Sequence, residues 1–130
     1  MTALALLKLA LVVIGAVCLL FYPIATVWPS GWIWHQGAPA ASDYFLMIAG
    51  LYATLGVFLI LAARNPLAHR SLIWFTVVSS VVHGGIMALQ SFRTTGGMSH
   101  MGHLAGDVPA LFGAAAILGI LVWRAQRSAA

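Results

Sequence analysis

The sequence predicts an all-α protein, a four-helix transmembrane bundle. Three observations carry this. Of 130 residues, 62% are hydrophobic and only 6% are charged, against about 25% charged in an average soluble domain. A small soluble domain is mostly surface and needs charge there to stay in solution. The apolar residues also gather into four stretches, each near the roughly 20 residues that cross about 30 Å of hydrocarbon. The six basic residues stand singly where those stretches end, as they do beside membrane spans.

The first span is read as Ala3 to Trp28. Its apolar run is longer than a secretory core of roughly 7 to 15 residues, so a retained span is expected. Pro23 inside it predicts a kink, because proline removes a helix hydrogen bond. The second span runs from Tyr44 to Ala63 and stops at Arg64-Asn65-Pro66. The third runs from Ser71 to Phe92. The fourth runs from Gly102 to Trp123, closed by Arg124. An alternative start is Asp107, as an N-cap with Pro109 in the first turn. The whole chain, 1–130, reads as a single transmembrane domain with no linker or repeat.

Four spans put both termini and the middle loop on one side. That side collects Lys8, Arg64, Arg70, Arg124 and Arg127, while the other has Arg93 alone. The positive-inside rule then places both termini in the cytoplasm, for a multi-pass protein of the inner (plasma) membrane. Trp28, Trp32 and Trp34 would mark the outer interface, and Trp74 and Trp123 the inner one.

Polar residues inside a span are costly and tend to face the bundle interior. Thr76, Ser80, His83, Met87 and Gln90 recur at steps of three and four, which puts them on one face of span three. Bland readings exist for each: Thr76 and Ser80 as hydrogen-bonding glue between helices, Cys18 as a small buried hydrophobe. A second cluster is Met98-Ser99-His100-Met101-Gly102-His103 with Asp107. Antiparallel packing of spans three and four would bring His103 and Asp107 level with Gln90, Met87 and His83. The candidates for a ligand or proton-handling site are therefore His83, Gln90, His103 and Asp107. A His83–Asp107 hydrogen bond is the simplest arrangement. A metal set of His83, His100, His103 and Asp107 would suit zinc, iron or copper, with Met thioethers favouring copper(I). His35 could approach the same mouth. Haem would require His103 to reach inward opposite His83. Gly102, Gly106, Ala110 and Ala114, each four apart, form a small-residue stripe for close helix packing, within the chain or against a second copy.

Several chemistries are excluded. Spans two to four hold no lysine for a Schiff base. No Gly-rich phosphate loop or serine-nucleophile elbow occurs. The scattered positive charge does not form a nucleic-acid patch.

Four segments together resemble the small BphX-like membrane proteins, a family named from a gene beside biphenyl-degradation genes. They are Tyr52 to Phe58, Ala63 to Ile73, Val82 to Gln90 and His103 to Pro109. The resemblance spans roughly residues 28 to 120. It implies four membrane spans and no established activity, and it draws attention to Asn65, His69, His83, Gln90, His103 and Asp107.

The expected function is a binding or accessory membrane protein with a polar, outward-facing site between spans three and four. Its partners would be the lipid bilayer, a small-molecule ligand, and a second copy or partner subunit. A metal-dependent membrane enzyme or metal-handling protein is one alternative. A small oligomeric transporter or channel is another.

Overall fold

The structure, a computed structural model, describes residues 1–28, 42–92, 94–95, 98–99 and 101–128. Helix α1 (Ala3–Leu19) starts at Thr2, whose hydroxyl accepts the Ala5 N–H at 3.2 Å. It ends four residues before Pro23. Proline there has no N–H to give the Leu19 carbonyl, and its ring crowds that carbonyl. The chain turns at Leu20 and continues as α2 (Phe21–Val27), bent by 59° from α1. The predicted kink is therefore a break, and it sits one turn before the proline that causes it.

Helix α3 (Asp43–Ala62) is capped by Ser42, whose hydroxyl accepts the Phe45 N–H at 3.2 Å. A turn and a short 3-10 segment, Pro66–His69, lead into α4 (Arg70–Ser91). Helices α3 and α4 thus fall within a residue of the stretches read as spans two and three. A small hairpin follows, β1 (Thr94–Thr95) paired antiparallel with β2 (Met98–Ser99). The residues read as the start of span four form a 3-10 segment, Met101–Leu104. Helix α5 is Asp107–Arg127, near the later of the two expected starts; with the 3-10 segment it forms an apolar unit, Gly102–Arg127, that ends later than the expected Trp123. Gly106, not Asp107, holds the cap position. Arg124 and Arg127 in the last turn suit the negative end of the helix dipole. The Arg127 guanidinium also lies 4.1 Å from the Trp123 ring centre.

Three of these units are long and apolar enough to cross a membrane, and a fourth is if the bent α1–α2 pair is one span. The outer surface is apolar: Leu51, Phe75, Leu89 and Phe92 are all exposed. Such a surface would associate in water and is the ordinary one in lipid.

The helices pack in the cyclic order α3, α1, α5, α4. The α4–α5 and α1–α3 pairs are the most extensive, and α1–α5 joins them. At the end carrying Lys8, Arg64, Arg70 and Arg127, a core of Leu7, Leu11, Leu59, Ile73, Leu118 and Val122 is fully buried. Away from that end, α3 and α4 scarcely touch along their backbones.

Gly15 on α1 packs tightly against Gly56 on α3. A Cβ on Gly15 would lie 2.8 Å from the Gly56 carbonyl oxygen, and one on Gly56 would lie 2.6 Å from the Leu19 nitrogen. The small-residue stripe of α5 does not make this contact. Ala110 and Ala114 from that stripe line a half-open space between the helices instead.

Candidate functional site

That space is a cavity of about 400 Å³ between α1, α3, α4 and α5. It exists because small side chains face it, between the aliphatic core at the basic end and a second buried cluster, Ala25, Phe45 and Ala49, at the other. Val13, Ile14 and Val17 form one wall, Leu111 and Ile117 another. At the far end α2 folds over α3. There Phe21 stacks at 5.5 Å from Phe45 and 5.1 Å from Tyr52, between ring centres.

Two polar pairs interrupt the apolar lining. Tyr52 on α3 and His83 on α4 are joined by a 2.8 Å hydrogen bond between the phenol oxygen and Nδ1. This bond bridges the helices that otherwise keep apart. His103 Nδ1 and Asp107 Oδ2 are 2.6 Å apart, at the start of α5. The short 3-10 segment places His103 one turn before Asp107, so an i, i+4 pair forms although only Asp107 lies in the α-helix. The Asp107 side chain is 10% exposed, and a carboxylate so placed needs such a partner.

Of the predicted residues, His83, His103 and Asp107 all line the cavity, with Thr76, Ser80 and Met87 of the same stripe. The expected His83–Asp107 bond is replaced: His83 bonds Tyr52, and Asp107 bonds His103. Gln90, expected at the mouth, is exposed and lies outside the lining. It sits two turns beyond His83, where α4 has already passed the cavity. The Thr76 hydroxyl donates to the Leu72 carbonyl of its own helix at 2.9 Å, so it does not glue helices together. His100 and His35 lie outside the described residues, as do the side chains of Met98 and Met101. Among the described residues, no three His, Cys, Asp or Glu side chains gather to hold a metal ion.

Two cavity residues escaped the sequence reading as site residues. Cys18 lines the cavity. Tyr52 was the more legible, since a phenol in the middle of an apolar helix needs a polar partner. The arrangement can hold a small apolar molecule and present hydrogen-bonding groups to it at fixed positions.

No curated protein and no solved structure matches the chain. Nothing in the comparisons links it to the BphX-like proteins. Over residues 1–129 the chain matches the family of unknown function designated DUF6632, and it belongs to that family.

Proposed function

We propose that the chain is a four-span protein of the inner (plasma) membrane, with both termini cytoplasmic, that binds a small, mostly apolar molecule inside its bundle. The observation that carries this is the cavity with its two polar pairs. Its volume of about 400 Å³ lies in the range of small-molecule pockets, roughly 300 to 1,000 Å³. Apolar walls with a few convergent polar groups are the usual composition of such pockets. The orientation rests on five basic residues, Lys8, Arg64, Arg70, Arg124 and Arg127, against Arg93 alone.

The test is extraction of the protein in discs of native membrane, followed by mass spectrometry of what co-purifies. Ala114→Phe serves as the filled-cavity control. A compound retained by the wild type and lost from Ala114→Phe supports the reading. Identical extracts from both would refute it. Alkaline phosphatase fused to the C-terminus should be inactive, and activity would reverse the orientation.

A further inference from the structure

The Tyr52–His83 pair narrows the class of ligand, given the binding reading above. The reasoning is a proton count. Neutral histidine carries one N–H, and tyrosine carries one O–H. Their mutual hydrogen bond uses one of the two. Either tautomer therefore leaves one donor over: the Nε2–H if the phenol donates, or the phenol O–H if Nδ1–H donates. This bond is the one side-chain hydrogen bond that either residue makes among the described residues. Both side chains line the cavity. A donor left over in a mostly apolar cavity, bonded to none of the other side chains that line it, is expensive, so an acceptor should meet it.

We infer that the cavity takes a neutral, mostly apolar molecule bearing a carbonyl-type oxygen, and that the Tyr52–His83 pair donates a hydrogen bond to that oxygen. Each single substitution leaves one donor in place: Tyr52→Phe keeps the imidazole N–H, and His83→Leu keeps the phenol O–H. Only the double variant Tyr52→Phe/His83→Leu removes both. The wild-type pair also has one spare donor, so the preference for an acceptor should persist in either single variant and vanish in the double.

The experiment uses the full chain in lipid discs, with 2-dodecanone and dodecane as probes, each titrated by its measured mole fraction in the bilayer. Cys18 is the one cysteine and lines the cavity, so protection from N-ethylmaleimide reports occupancy. In the wild type, 2-dodecanone should protect at a roughly three- to tenfold lower mole fraction than dodecane, the ratio a single hydrogen bond supplies. In the double variant the two should protect equally. Independently, the carbonyl stretch of ¹³C-labelled 2-dodecanone should move to lower frequency on binding the wild type, which keeps the test decisive if the double variant does not fold. Equal protection by both probes, with an unshifted carbonyl band, overturns the inference and leaves the cavity reading intact. Protection by neither probe overturns both.

Discussion

The Gly15–Gly56 crossing makes the sharpest prediction about the fold. In Gly56→Ala the new methyl would overlap the Gly15 carbonyl oxygen and lie 2.6 Å from the Leu19 nitrogen and 3.1 Å from its Cα. All three are backbone atoms, so no rotamer change relieves the contact. Ordinary separation is about 3.5 to 4.0 Å, so α1 must retreat from α3 by about 1 Å. A gap of that size forfeits a quarter to a half of the dispersion energy of the contacts along the crossing. Overpacking of this kind typically costs about 1 to 3 kcal/mol, and a clash against backbone belongs at the upper end. The expected loss is about 3 kcal/mol. Reversible unfolding in mixed micelles, followed by circular dichroism, measures it. Gly85→Ala is the control: nothing lies within 4 Å of its added carbon, and alanine favours the helix by up to about 1 kcal/mol. If Gly56→Ala unfolds within about 0.5 kcal/mol of wild type, the range of a neutral substitution, the close-crossing argument is wrong.

Pro23→Ala should restore the Leu19 hydrogen bond and straighten the α1–α2 bend, read as a longer distance between spin labels near the two ends of that segment; an unchanged distance would mean that packing, not proline, sets the bend. Leu118→Ala, in the filled end, should cost about 2 to 5 kcal/mol, whereas Ile48→Ala, on the cavity wall, should cost under about 1.5 kcal/mol because its site is already hollow; equal costs would contradict the uneven packing. A double-mutant cycle of His103→Ala and Asp107→Asn should give a coupling of about 1 to 2 kcal/mol in unfolding experiments, and additive effects would show that the 2.6 Å contact contributes nothing to stability.

The helical architecture was largely legible because apolar spans are read from composition and length. Ser42, Pro66 and the charged turns set the bounds of α3 and α4 where hydropathy and capping agree. Span four left two starts open, because Gly102 to Gly106 is apolar enough to belong to a span yet rich in glycine, and the α-helix waits for Asp107 while the apolar unit begins at Gly102. The stripe on α4 placed His83 toward the interior, since a 3.6-residue period survives in any packing. Its partner was not legible, because periodicity fixes a face and says nothing about which neighbour meets it. Asp107 and Tyr52 were both available in sequence terms. The choice fell to the 3-10 segment, which keeps His103 on Asp107, and to the seam, which sets Tyr52 opposite His83. The glycine crossing was missed because Gly15 and Gly56 lie far apart in the chain and belong to no repeated motif.

The bundle is built like a book. Its spine is the α1–α5 contact and the filled end around Leu7, Leu118 and Val122; its fore-edge is the seam between α3 and α4, clasped by Tyr52 and His83. The energies of the two sides differ widely. Parting the spine forfeits the van der Waals packing of a cluster of fully buried aliphatic side chains, the contact that holds helices together in lipid. Unfastening the clasp breaks one hydrogen bond, worth about 0.5 to 1.5 kcal/mol net. Thermal opening of this chain therefore has a preferred edge, and it is the edge that bears the phenol and the imidazole.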